Sequence, residues 1–339
     1  MNIKRAKREI GNTIKAYLQK DAYGDYLIPS IRQRPILLIG APGIGKTQIM
    51  EQIARECDIA LVAYTITHHT RQSAIGLPFI LEKEFDGKKY SVTEYTMSEI
   101  IGSVHEQMEK TGCREGILFI DEINCVSETL APTMLQFLQC KTFGNQQVPE
   151  GWIIVAAGNP PEYNKSVREF DVVTLDRVKK IDVEPDFSAW KEFAYTAGVH
   201  GAIISYLELK KENFYQMETR VDGKCFATAR GWQDLSELLT VYEKLGMEVD
   251  QEVIFQYIQH EKIAKDFANY LELYYKYQTD YQIKGILQGQ VRESVYEKLK
   301  FAPFDERLSV IGLLLADLSK KFEEAYDVDA YVTALFDTL

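Results

Sequence analysis

The chain has 339 residues, of which 46% are apolar, enough to pack cores in two or three domains. Its formal net charge of −11 disfavours a sequence-independent grip on nucleic-acid phosphate, so no nucleic-acid partner is expected. No apolar run approaches the roughly 18 residues of a membrane span and no secretory leader pattern opens the chain, so a cytoplasmic protein with no membrane partner is expected.

Residues 1–20 read as a helix, because Ile10, Ile14 and Leu18 recur every four positions among charges. The basic cluster Lys4 to Arg8 falls on that helix and reads as its solvated face. A looser stretch follows, with a glycine and two prolines. "ILLI" at Ile36–Ile39 is the first strand, and Ile49, Ile53 and Cys57 mark one face of the next helix. "DIALVAYTI", "GILFID", "WIIVAAG" and "KKIDVEP" supply four more strands. Strands that are apolar on both faces and alternate with helices indicate a parallel sheet covered by helices, an α/β fold with five strands. Between the second and third strands, "PFILEKEFDGKKYSVTEY" reads as a hairpin turning at Asp86-Gly87-Lys88, since Asp-Gly tolerates positive φ.

Beyond Pro185 strand-like runs stop and helical spacing takes over. Trp232, Leu235, Leu238, Tyr242 and Leu245 form one stripe, with Gly246 as its stop. The boundaries expected are an N-terminal helix at 1–20, an α/β nucleotide-binding domain at 21–184 with the hairpin insertion near 79–96, a helical region at 185–272 and a helical C-terminal extension at 273–339. The tyrosine-rich part of that extension mixes aromatics with acids, which favours helix packing over base stacking.

Five cysteines, Cys57, Cys113, Cys125, Cys140 and Cys225, are odd in number and form no CxxC pair. A disulfide framework or zinc knot is therefore not expected. His68, His69 and His105 lack the companion carboxylate or cysteine spacing of a metal site.

Chemistry concentrates in a few short stretches. Gly40-Ala41-Pro42-Gly43-Ile44-Gly45-Lys46-Thr47 matches GxxxxGK[ST], with a strand before it and a helix after. Glycines let successive N–H groups turn toward one phosphate, and the helix N-terminus adds partial positive charge. Lys46 is expected on the β- and γ-phosphates of ATP, and Thr47 on Mg²⁺. About 75 residues later, "ILFIDEIN" puts Asp121 at the carboxyl end of a buried strand, where it would hold Mg²⁺, with Glu122 as general base. Asn159 ends the "WIIVAAG" strand and could position water against the γ-phosphate. Arg177 and Arg230 suit the charge that spreads over a transferring phosphoryl group, and Arg168 is a runner-up whose plainer reading is a surface salt bridge.

These motifs in series, with "LDRV" at Leu175–Val178, resemble an AAA+ ATPase. The hairpin, "IGLP" at Ile75–Pro78 and the "NPPEYN" stretch resemble more narrowly its MoxR-like, helix-2-insert branch; the likeness covers about residues 25–245. The resemblance implies an AAA+ core with a helical lid and a ring oligomer, a hexamer. It implies Arg177 as a finger reaching a neighbouring subunit's γ-phosphate, and Arg230 as the lid's cis sensor. Arg230 sits in "TAR" where relatives often carry Ser-Pro-Arg, and the phosphate loop reads Ile-Gly-Lys-Thr where they often carry Thr-Ala-Lys-Thr. It further implies a chaperone-like action on a protein client, possible pairing with a separate von Willebrand A-domain protein, a substrate-facing loop at "THHTRQS", and Ile28 and Ile31 bordering the adenine. A nucleic-acid-directed motor and a slow nucleotide-gated scaffold remain as alternatives, while a small-molecule kinase is disfavoured.

Overall fold

The computed structural model describes residues 1–163, 167, 169–220, 223–290 and 293–323. The chain divides into two compact units, Met1–Pro185 and Asp186–Leu339.

In the first unit the elements follow in the order α1 (Ile3–Tyr17), β1 (Ile36–Gly40), α2 (Lys46–Cys57), β2 (Ala60–Thr65), α3 (Arg71–Ile75), β3 (Pro78–Phe85), β4 (Lys88–Tyr95), α4 (Glu99–Thr111), β5 (Gly116–Asp121) and α5 (Ala131–Cys140). The two-residue strands β6 (Thr142–Phe143) and β7 (Gln146–Gln147), then β8 (Trp152–Gly158), α6 (Val172–Arg177) and β9 (Lys179–Val183) complete it. α1 is amphipathic: Ala6, Ile10 and Ile14 are fully buried, Lys4, Arg5 and Arg8 are exposed, and Asn2 caps its start by accepting from the Arg5 N–H.

Five strands form one parallel sheet in the order β2-β5-β8-β1-β9. β8 is buried along its whole length and β5 along all but its last residue. That explains their unbroken apolar sequences, since both faces are covered. The edge strand β9 instead alternates buried and exposed residues. The register sets Thr65 beside Asp121, Ile120 beside Ala156 and Ile39 beside Gly158. The carboxyl ends of β5, β8 and β1 therefore lie in one row.

β3 and β4 pair antiparallel over eight residues each, from Phe85↔Lys88 to Pro78↔Tyr95. Asp86 (φ 50°) and Gly87 (φ 75°) make the turn, both in the left-handed region that a two-residue hairpin of this hand requires. Nearly every residue of this ribbon is exposed, including Phe79, Ile80 and Phe85. At its base, Gly76 has φ 106°, and a Cβ there would lie 2.0 Å from the Thr96 carbonyl oxygen. Leu77 closes the base by donating to Thr96 Oγ1 at 2.8 Å. Beside it, the His69 and Tyr64 rings meet tilted by 35° at 4.6 Å, and His69 shares a hydrogen bond with Ser73.

The second unit holds α7 (Phe187–Thr196), α8 (Gly201–Leu209), β10 (Gln216–Arg220), β11 (Gly223–Ala227), α9 (Ala229–Leu245), α10 (Gln251–Tyr257), α11 (Glu261–Asp280), α12 (Ile283–Leu287), α13 (Glu293–Phe301) and α14 (Phe304–Glu323). Its core is aromatic: Tyr206, Trp232, Phe267 and Tyr281 are all fully buried, and Trp232 meets Phe267 edge-on at 5.2 Å. Tyr274 and Tyr281 are packed among the helices, as their mixture with acids suggested. Two expectations need correction. The β10–β11 hairpin is a strand pair in a region read as purely helical. Its segments, QMETR and GKCFA, are short, and the apolar run in them is only Cys225-Phe226-Ala227. In α9 the buried stripe is Trp232, Leu235 and Leu239, while Leu238 and Tyr242 are half-buried and Leu245 is exposed. A 3.6-residue period returns at i+7 rather than i+6, which selects Leu239 over Leu238. Gly246 does end the helix, at φ 66°.

Candidate functional site

The phosphate loop joins the end of β1 to the start of α2. Gly43 (φ 74°) and Gly45 (φ 89°) take left-handed conformations that a side chain would strain. At Gly40 the constraint is space: a Cβ would come to 2.8 Å from the Ile44 side chain and 2.9 Å from the Val183 carbonyl oxygen. α2 therefore begins directly at Lys46, with its first N–H groups and its dipole facing the loop.

Lys46 is buried. Its ammonium donates to the carbonyls of Gly40 (2.6 Å) and Ala41 (2.9 Å) and to Asn159 Oδ1 (2.8 Å). A desolvated ammonium needs such partners, and these draw the end of β8 toward the loop. Thr47 Oγ1 donates to Asp121 Oδ2 at 3.1 Å, joining the loop to the end of β5. β8 lies between β5 and β1 in the sheet, so the loop and the acidic pair flank a gap about two strand spacings wide, roughly 9.5 Å. Asn159 stands at the end of the strand that fills the middle of that gap.

Glu122 follows Asp121 with φ 58°, left-handed and non-glycine, a conformation costing on the order of 1–2 kcal/mol. The Glu122 N–H donates to Asp121 Oδ1 at 2.9 Å, and the chain turns back through Cys125 N–H to Glu122 O at 2.9 Å. Ile123 N–H then donates to the Ala157 carbonyl on β8. The turn after the acidic pair is thus fastened to the neighbouring strand.

Asn124 is a residue that sequence reasoning missed. It is 5% exposed, and its amide makes a reciprocal pair with the backbone of Asn159: Nδ2 donates to Asn159 O (2.8 Å), and Asn159 N–H donates to Oδ1 (3.2 Å). Gly158 has no side chain because a Cβ there would sit 2.5 Å from Asn124 Oδ1. The available signals were an amide two residues past Glu122 and a glycine ending an otherwise bulky strand. Asn124→Ala removes both hydrogen bonds and leaves the Asn159 backbone groups unpaired. We expect the first unit to lose about 2–3 kcal/mol, read as a lower urea midpoint for its transition with that of the second unit unchanged. An unchanged first transition would refute the bracing role.

The hydrogen bonds thus gather Lys46, Thr47, Asp121 and Asn159, with Glu122 next in chain. Arg177 ends the short helix α6 and is exposed; its Nη1 donates to Gln139 Oε1 on α5. Asp171 caps α6 by accepting from the Thr174 N–H at 2.6 Å. The Thr174 hydrogen bonds, then the nearby Arg177 charge, hold the Asp171 carboxyl below its usual range. Arg230 belongs to the second unit, exposed in the first turn of α9, which Thr228 caps. Arg168 lies outside the described residues.

The segment that holds Ile28 and Ile31 lies away from the acidic pair. Tyr26 donates to Glu115, at the amino end of β5. Lys141 Nζ donates to the Ser30 carbonyl at 2.6 Å, and burial pushes the Lys141 ammonium down to about 8. These contacts anchor the segment at the opposite end of the six-residue strand β5, roughly 20 Å from Asp121 by strand rise. Ile31 there is 90% exposed.

Among the described residues no group of three or more His, Cys, Asp or Glu side chains could hold a metal by itself, and no helix is long and apolar enough to cross a membrane. The site offers one hydroxyl and one carboxylate converging at Thr47 and Asp121. That set fits a hard cation that keeps several waters and takes its remaining ligands from substrate phosphate.

Comparison with known proteins bears on this geometry. Residues 35–178 match the family described as AAA domain (dynein-related subfamily). No curated protein matches the chain. Among solved structures, a candidate ATPase from Cytophaga hutchinsonii is 16% identical at a TM-score of 0.32, over 54% of this chain and 46% of that one. The chain thus spans about half the length of that structure. The AAA domain of FIGL-1 in complex with ADP is 14% identical at a TM-score of 0.37, over 69% of this chain and 68% of that one. The family match, which spans the phosphate loop, the acidic pair, Asn159 and Arg177, carries the assignment. Over residues 35–178, less than half of its length, the chain is similar to the AAA domain of the dynein-related subfamily.

Proposed function

We propose that the chain is a Mg²⁺-dependent, MoxR-like AAA+ ATPase that assembles as a ring, a hexamer, and remodels a protein client. The observation that carries this reading is the convergence of Lys46, Thr47, Asp121 and Asn159 at the carboxyl ends of three adjacent strands, with Glu122 in a strained turn beside them. Lys46 binds the β- and γ-phosphates of ATP, and the loop N–H groups orient them. Thr47 and Asp121 would hold Mg²⁺, which when bound supplies charge neutralisation on the phosphate oxygens. Glu122 accepts the proton of the attacking water, and Asn159 positions that water. Arg177 acts on the nucleotide of the adjacent subunit, where its planar guanidinium stabilises charge on the transferring group. Arg230 senses the nucleotide from the helical lid in cis.

In this reading the lid is residues 185–272 and the extension 273–339. The exposed β3–β4 ribbon meets the client, for which a separate von Willebrand A-domain protein is the partner type we favour. The purified chain should hydrolyse ATP with Mg²⁺ and stop when EDTA is added. Light scattering should show its mass rising to several copies with ATP. A single-chain mass during turnover would sink the ring, and turnover stimulated by DNA would favour a nucleic-acid motor instead.

A further inference from the structure

Arg177 sits at the end of a six-residue helix whose Val172 and Val173 are themselves exposed. A long side chain in that position is free to sample many rotamers, and ordering it has an entropic cost. Its hydrogen bond among the described residues goes from Nη1 to Gln139 Oε1, with the Asp171 carboxylate also near its charge. The Gln139 amide is itself oriented, because its Nε2 donates to Thr174 Oγ1 at 3.4 Å. Thr174 is fully buried, and its N–H is held by Asp171. A chain of contacts therefore runs from the cap of α6 through Thr174 and Gln139 to the guanidinium.

We infer that Gln139 is a positioning residue that holds Arg177 in the orientation it presents to the adjacent subunit's nucleotide. This rests on the proposed action of Arg177 in trans. A guanidinium has five N–H donors, so one hydrogen bond to Gln139 leaves four for phosphate oxygens. The amide suits the task because it is neutral. A carboxylate at 139 would capture the guanidinium in two parallel charge-assisted bonds and cancel the charge that the phosphate needs. An apolar residue of the same length would leave the guanidinium unrestrained.

The test uses mixed assemblies. One subunit carries Glu122→Gln and keeps its arginine; the other carries Arg177→Ala and keeps its base. Their mixture should recover part of the ATPase activity. Gln139→Met placed in the arginine-donating subunit should cut the recovered turnover about tenfold, with KM for ATP and assembly mass unchanged. Gln139→Glu in the same subunit, which preserves size and polarity, should cut it further. Gln139→Met placed in the Arg177→Ala subunit should leave recovery unchanged. Equal losses in both placements, or none in the donor, or a gain, would overturn the role of Gln139 while leaving the action in trans intact. A mixture that recovers nothing even with Gln139 present would overturn both.

Discussion

Arg177→Ala is expected to bind ATP as the wild-type chain does and to lose about 10³–10⁵ in turnover. The expectation follows from where the side chain sits. Arg177 is exposed at the end of α6 and bonded to Gln139, so it is placed to serve a surface rather than the interior of its own unit. Removing it leaves untouched the Lys46, Thr47 and Asp121 contacts that would bind nucleotide. Fluorescent-nucleotide titration and a phosphate-release assay separate the two effects. Loss of affinity in parallel with turnover would mean that Arg177 acts on the chain's own nucleotide, and full turnover in the variant would remove it from the chemistry altogether.

Glu122→Gln should cut turnover by about 10²–10⁴, the usual contribution of a positioned general base, with affinity for ATP retained. The amide matches the carboxylate in size, and the bonds that set the turn are made by backbone: Glu122 N–H to Asp121, Cys125 N–H to Glu122 O and Ile123 N–H to Ala157 O. The substitution therefore removes a proton acceptor and little else. A long-lived ATP complex would follow, and a pull-down with it should retain the client. Turnover at the wild-type rate would mean that another group accepts the proton.

The parts of this site that the sequence made legible share a physical cause. Gly40, Gly43, Gly45, Lys46 and Thr47 lie within one short stretch of sequence, a loop shaped to cradle phosphate. The inner strands β5 and β8 were readable because a parallel sheet covered on both faces demands unbroken apolar runs. What stayed hidden depends on contacts between distant segments. Asn124 matters because Asn159 and Gly158, some 35 positions on, fold against it. Gln139 matters through Arg177 and Thr174, and nothing around position 139 marks it. Ile28 and Ile31 are a different case. A resemblance placed them by order in the chain, whereas Tyr26 and Lys141 anchor that segment at the far end of the strands. The β10–β11 hairpin escaped because its strands are short and QMETR has no apolar alternation, so the pairing of distant backbone defines it.

The β3–β4 ribbon carries a different kind of information. Its residues are almost all exposed, and its base is fastened at Gly76, Leu77 and Thr96, with Gln146 donating to the Tyr95 and Thr96 carbonyls. Residues between Pro78 and Tyr95 can therefore be exchanged with little effect on the packed core, because almost none of them contributes to it. Tolerance there and intolerance at Gly76 would let the ribbon diversify between relatives while the machinery behind it stays constant. On the proposed client contact of the ribbon, a change of specificity needs only new residues between Pro78 and Tyr95, and chimeras that swap residues 78–95 test it.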